Sequence, residues 1–180
     1  VEDAGADGDF ATLSDNGYTS QQVIVNLLPV NDPPAFAPVD PVTVAEDTPL
    51  LTVPVTGIQA GPFEDQGLRV TVQSSNPDVV PVPTVGFAAG SETASLLFRP
   101  PADAHGQSVI TVTLQDAGLD GNLDTPADNG TAVREFVFKV TPVNDRPLIN
   151  SIPAKTIDED SPEVVLDLAG IFAGGGEDQP

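Results

Sequence analysis

The sequence contains no cysteine, no methionine and no tryptophan, and only one tyrosine and one histidine. Without cysteine there are no disulfides and no thiolate metal sites. The lone His105 leaves little scope for a transition-metal site or for general-base chemistry. Bases are scarce as well. Arg69, Arg99, Arg134, Lys139, Arg146 and Lys155 stand against 27 acids, for a net charge of −21. Such a charge repels nucleic acid and anionic lipid, and it strains the compact state by self-repulsion. No apolar run approaches the roughly 18 residues of a membrane span, so no span is expected in this segment. Nor can a Ser-His-Asp set, an acid pair in an apolar pocket or a phosphate loop be assembled. No enzyme is expected.

What is present is a repeat. Residues 1–67 align with residues 114–180 at a constant offset of 113, without insertion or deletion and with 25 identities in 67 positions. Asp3-Ala-Gly5 returns as Asp116-Ala-Gly118. Pro29-Val-Asn31-Asp32 returns as Pro142-Val-Asn144-Asp145, Glu46-Asp47 as Glu159-Asp160, and Glu64-Asp65-Gln66 as Glu177-Asp178-Gln179. A fixed period marks a tandem array, and a period of this length fits one ordinary domain. The identities are mostly Asp, Glu, Asn, Gly and Pro, so turn chemistry and oxygen ligands are what recur. The chain does not start with Met and shows no charged-then-apolar leader, and it reads as a window from a longer array.

Nineteen prolines and sixteen glycines separate short segments of alternating polarity. That is the signature of an all-β sandwich. Seven strands are predicted between Pro34 and Pro147: A near 42–45, B near 50–56, C near 68–73, D near 79–85, E near 93–98, F near 108–115 and G near 133–141. Pro81 and Pro83 remove ladder donors from D and mark it as an edge or loose strand. Asn129-Gly130 and Asn16-Gly17 are expected to close the F–G turn. Asn129-Gly-Thr131 also fits a glycosylation sequon, which a hairpin turn explains without sugar. On this division residues 1–33 are the F–G loop and G strand of a preceding repeat. Residues 34–146 form a complete sandwich, and residues 147–180 hold the A and B strands of a following one. The partial ends point to truncation of an array more than to strand exchange.

About twenty of the 27 acids fall in turns that recur with the period. General acidity, as in a protein adapted to high salt, would spread them over exposed strand faces instead. In a sandwich that runs up and down, turns alternate between its two ends. One end receives Glu46, Asp47, Asp103, Asn144 and Asp145, joined by Glu177 and Asp178 of the next copy. The other receives Glu64, Asp65 and the F–G loop with Asp116 and Asp120, beside Asn31 and Asp32 of the incoming linker. Crowded carboxylates repel unless a cation sits among them, and six to eight mixed oxygens suit Ca²⁺ better than Mg²⁺. Each feature also has a plainer reading. Glu46-Asp47, repeated as Glu159-Asp160, serves equally as a turn starter before Pro49. Asn144-Asp145 serves as an Asx turn. The loop Asp116–Asp124 either holds a private ion or is a Gly/Asp turn contributing Asp116 and Asp120 alone. His105 is expected to be a loop residue packed on Pro101.

Val30-Asn-Asp-Pro-Pro-Ala-Phe36 resembles the linker of cadherin repeats, and Glu46 in Val44-Ala-Glu-Asp-Thr-Pro49 resembles the first-strand glutamate of that family. Thr113-Leu-Gln-Asp-Ala-Gly118 is similar to the segment that ends its strand F. The pattern is closer still to the bacterial cadherin-like or Ig-like tandem repeats of large secreted and surface proteins. That resemblance implies a cadherin-like Greek-key β-sandwich. It also implies lower-module calcium ligands at Glu46, Asp103, Asn144 and Asp145, and upper-module ones at Glu64, Asp65 and Asp116. Glu64-Asp65-Gln66 replaces the family's Asp-x-Asp, and Pro101-Ala-Asp-Ala-His105 replaces its Asp-Arg-Glu, which implies fewer ions per joint than the family's usual three.

The expected function is structural. The chain reads as a calcium-stiffened spacer or fibre-forming segment at the cell surface or outside the cell, an adhesin stalk included. Its expected partners are neighbouring repeats of the same chain and copies of itself in a fibre or at cell contacts. The alternative is a recognition module for a glycan or a partner protein, or homophilic adhesion. Recognition calls for an exposed aromatic platform, which eight Phe largely at core positions and a single Tyr do not supply.

Overall fold

The structure, a computed structural model, describes residues 1–11, 14, 15 and 17–172. Asn16, Glu177 and Asp178 lie outside the described residues. Contacts divide the chain into two units, Val1–Val30 and Asn31–Pro180. The second unit holds a seven-stranded sandwich: β1 Val42–Ala45, β2 Leu51–Thr56, β3 Leu68–Ser74, β4 Thr84–Phe87, β5 Thr93–Phe98, β6 Gly106–Asp116 and β7 Thr131–Thr141. One sheet has the order β1-β7-β6-β3 and the other β2-β5-β4. With the strands lettered in sequence, these are A-G-F-C and B-E-D, the Ig arrangement with its first strand moved onto G. No helix among the described residues is long and apolar enough to cross a membrane.

Alternation decides which side chains meet between the sheets. In β6, Ser108, Ile110, Val112, Leu114 and Asp116 are buried, while the residues between them face outward or are half-buried. In β7, Phe136, Phe138 and Val140 are buried. Leu96 and Phe98 of β5 and Val53 and Val55 of β2 close the core from the other sheet. Phe98 meets Phe138 at a ring-centroid distance of 4.7 Å and Phe136 edge-on at 6.3 Å.

Prolines set the edges. The strand expected over 79–85 begins only at Thr84, because Pro81 and Pro83 cannot donate to a ladder, and β4 is an edge strand. The leading segment is tied first to the end of β2, where Ala35 and Gln59 exchange backbone bonds of 2.9 Å and Ala37 N donates to Thr56 O at 2.8 Å. Pro38 and Pro41 then break the ladder. The chain crosses to the other sheet, and Val42–Ala45 pairs parallel with Phe138–Thr141.

Local pieces of this architecture recur outside the complete sandwich. Leu148 pairs with Phe172 as Ala35 pairs with Gln59, at the same offset of 113. Ser161 N bonds Asp158 O at 3.2 Å as Thr48 N bonds Ala45 O at 3.3 Å. In the first unit Glu2 bridges Tyr18, the counterpart of the Gln115–Thr131 pair between β6 and β7.

Candidate functional site

Acids are almost absent from the strands. Of the residues in β1 to β7, only Asp116 and Glu135 are acidic, although the chain carries 27 acids. The other acids of the described sandwich lie in its turns and in the segments that enter and leave it, several of them at its two ends.

At the lower end the β1–β2 turn, the β5–β6 turn and the chain leaving β7 come together. Glu46 is 2% exposed. Its N–H donates to Thr141 O at 2.9 Å, and its Oε1 accepts from Val143 N at 2.6 Å. The glutamate thereby clamps the outgoing chain onto the turn. Its other oxygen, Oε2, is buried with no hydrogen-bond donor; His105 Nδ1 stands 3.9 Å away. The histidine therefore lies beside Glu46 at this end. Asp145 is half-buried, and its Oδ2 is likewise buried without a donor. Desolvation pushes the Asp145 carboxyl above the ordinary range. The negative charges of Asp47, Asp103 and Glu46 push the same way, as does a side-chain hydrogen bond with Asp103. Asp47 and Asp103 sit in the left-handed region, at φ 61° and 58°, which aspartate tolerates better than most residues. Asn144 is exposed and has no hydrogen bond among the described residues.

At the upper end the incoming linker is bound by two loops. Asp32 N donates to Glu64 Oε1 at 2.9 Å. Asn31 Nδ2 donates to Asp128 O at 2.8 Å and lies 3.4 and 3.5 Å from the two oxygens of Asp116. Gln66 Nε2 donates to Asn31 Oδ1 at 2.6 Å. Glu64 Oε2 and Gln66 Oε1 are buried without donors. Asp65 is exposed and takes no part in this network. Neighbours in an extended stretch face opposite ways, so Glu64 and Gln66 turn in together and Asp65 turns out. Sequence reasoning missed Gln66 because an amide adds nothing to a count of charges. Its spacing of two from Glu64 was the available signal.

Asp116 holds the β6–β7 loop shut. It is fully buried, and its Oδ1 accepts from Gly118 N at 2.9 Å and from Gly130 N at 2.7 Å. Asp128 Oδ2 accepts from Leu119 N at 2.8 Å. Asp120 caps Asn122 N at 2.8 Å, and Asn122 caps Asp124 N at 3.0 Å. The first unit repeats the pattern. Asp3 takes Gly5 N and Gly17 N at 3.0 Å each, Asp15 takes Ala6 N at 2.8 Å, and Asp7 and Asp9 each cap the backbone two residues on. The N–H groups of Gly17 and then Gly5 hold the Asp3 carboxyl below its ordinary value. These loops are chains of Asx turns, in which Asp120 serves its own loop. Glu159, in the third copy, is exposed.

Among the described residues no three His, Cys, Asp or Glu side chains are already gathered as a metal cage. The donor set nevertheless suits a hard cation. The orphaned atoms at both ends are all oxygens, from carboxylates or amides, and buried acceptors without donors are costly.

No family model matches the chain, and no curated protein matches it. Two solved structures are similar in fold. The titin domains Z1Z2, in a crystal structure with telethonin, align at TM-score 0.37 and 16% identity, over 68% of this chain and 55% of that one. A nucleoside hydrolase-related hypothetical protein from Saccharophagus degradans, described as associated with carbohydrate metabolism, aligns at TM-score 0.38 and 19% identity. That match covers 62% of this chain and 26% of the other. The chain thus spans about half of the first structure and a quarter of the second.

Proposed function

We propose that this chain is a structural segment of a surface or secreted tandem-repeat protein, a spacer whose joints are stiffened by Ca²⁺ and which performs no catalysis. One observation carries the reading. Glu46, almost wholly buried, presents an oxygen with no donor at the end where desolvation and the charges of Asp47, Asp103 and Glu46 raise the proton affinity of Asp145. Glu46, Asp103 and Asp145 would hold an ion there, with Asn144 beside them. Asn31, Asp32, Glu64 and Gln66 would do so at the upper end. Asp116 supports the upper set by fixing Asn31 and the loop. Bound calcium would supply positive charge that cancels carboxylate repulsion and would satisfy the orphaned oxygens. The partners on this reading are neighbouring repeats, whose ends complete the ligand sets.

The test is a thermal melt of the chain in calcium, in magnesium and in chelator, paired with small-angle scattering. An ion at ~100 times its dissociation constant adds about 2.7 kcal/mol to the state that binds it. Calcium is expected to raise Tm and lengthen the mean dimension, magnesium to do less, and Glu46→Gln to blunt the response. Identical melts and profiles in calcium and in chelator would end the proposal.

A further inference from the structure

The outward face of the β1-β7-β6-β3 sheet is a broad surface on which two of these molecules approach without like-charge repulsion and with charges that can set a register. The ionisable groups that its strands turn outward are Arg69, Glu135 and Lys139, and Arg69 pairs with Asp124 of the β6–β7 loop at 2.7 Å, which leaves the face close to neutral in a chain of −21. Threonine, glutamine and valine make up most of the remainder. Val109 and Val137 stand opposite each other in the ladder and are 38% and 40% exposed; Val133 is 55% exposed. We propose that this face is a lateral interface to a second copy of the same chain.

The arrangement of charge selects the partner. Along β7, Glu135 and Lys139 lie two residues to either side of Val137, on the same face. A two-fold axis across Val137 lays β7 antiparallel on the partner's β7. The Val109–Val137 pair then meets its own copy, and each Glu135 faces the other chain's Lys139. Self-complementarity of this kind is what an isologous contact requires. Glu135 is held in place by Thr111 Oγ1, which donates to its Oε1 at 3.2 Å. Lys139 is centred between Thr43 of β1 and Gln107 of β6. The opposite sheet lacks these determinants. Its outward residues carry no charge to set a register, and its strands are shorter.

Area sets the strength. Strands of 4, 11, 11 and 7 residues, at ~3.4 Å per residue and ~4.8 Å apart, give a flat footprint of roughly 540 Å². A standard stable interface buries about 800 Å² per partner. One module therefore associates weakly and reversibly, and an array of modules gains through multivalency. The inference does not rest on calcium, because the face lies away from both ends of the sandwich.

Sedimentation equilibrium of the full chain, from about 10 µM to about 1 mM in calcium and in chelator, tests it. A reversible dimer is expected in both. Lys139→Glu places four carboxylates at the contact and is expected to weaken association by more than about tenfold, since like charges juxtaposed at an interface cost several kcal/mol. The double exchange Glu135→Lys with Lys139→Glu restores complementarity and is expected to recover the dimer. Lys155→Glu makes the same change of net charge off this face and is expected to have little effect. A chain that stays monomeric throughout overturns the proposal. So does a Lys139→Glu effect no larger than that of Lys155→Glu, or a double exchange that fails to recover association. Loss of the calcium response with the dimer intact would count against the spacer reading alone.

Discussion

Replacing Asp116 by alanine tests whether a fully buried carboxylate at a module end acts through the loop or through a cation. Its Oδ1 accepts two backbone N–H groups, from Gly118 and Gly130, and its Asn31 contacts are long. Gly118 is buried and Gly130 half-buried, so water replaces the lost acceptor poorly. An orphaned buried donor costs about 1–3 kcal/mol, so the pair is expected to cost about 2–5 kcal/mol. That is a large share of the ~5–15 kcal/mol that holds a domain folded, and it corresponds to a fall in Tm of order 10 °C. Urea unfolding read as a shift of midpoint at constant slope measures it. Because the lost partners are backbone groups, the loss should persist in chelator, and calcium should add only the smaller part that comes through Asn31. Asp3→Ala is the internal comparison. Asp3 makes the same two bonds but is exposed, so water replaces its acceptor and its loss should be distinctly smaller. An Asp116→Ala loss that vanishes in chelator would show that the carboxylate acts as a metal ligand and that the loop reasoning is wrong.

Asp145 gives a pH signature in chelator. Its folded carboxyl titrates above the ordinary value, so the folded state binds that proton more tightly than the unfolded chain does. Its contribution therefore increases stability as pH falls from neutral through the raised value, and it is exhausted below the ordinary carboxylate value. Asp3, held low, works in the opposite sense, and its contribution is lost only as pH falls through its lowered value. Tm followed from about pH 7 to about pH 4 should show the Asp145 rise, and Asp145→Asn should abolish it while raising Tm in chelator and weakening the calcium response. Gly118→Ala and Gly121→Ala separate strain from clash, since both have positive φ (59° and 71°). A Cβ on Gly118 would meet the Asp128 carboxyl at 2.6 Å, whereas one on Gly121 meets nothing within 4 Å. Gly121→Ala should cost ~1 kcal/mol for its left-handed backbone, and Gly118→Ala distinctly more; equal urea midpoints would refute the clash.

Strands with clean alternation were legible in the sequence. Val42–Ala45 and Thr93–Phe98 lie where the pattern put them. Strands F and G run longer than the pattern indicated, from Gly106 and from Thr131, because cross-strand pairing extends a ladder past the residues that advertise it. The parallel docking of β1 on β7 was not legible, since its partner lies at the far end of the module and the apolar pattern is the same for either sheet. The crowding at the lower end followed from turn alternation alone, and the inward Gln66 did not. The role of Asp116 was written in Asp-x-Gly, a spacing that places a carboxylate over the N–H two residues on, but a count of acids treats that residue like any other.

A chain built from near-copies faces a hazard that a unique domain does not, because a strand of one repeat can fold onto the wrong neighbour during synthesis. The closures that recur between copies, each in two of them, are short-range. The mouth of the β6–β7 loop is pinned by an aspartate and a glycine 14 residues apart, and the turn after β1 closes across three residues. Loops of about ten residues close in 10–100 ns, far faster than a ribosome delivers the next repeat. Each copy thus fixes its own hairpin register before its sibling exists. Pro54 within β2 and the prolines that precede β4 then leave a late strand few donors to invade. Fidelity of folding among such repeated sequences is a matter of timing, secured by carboxylates that each hold their own loop.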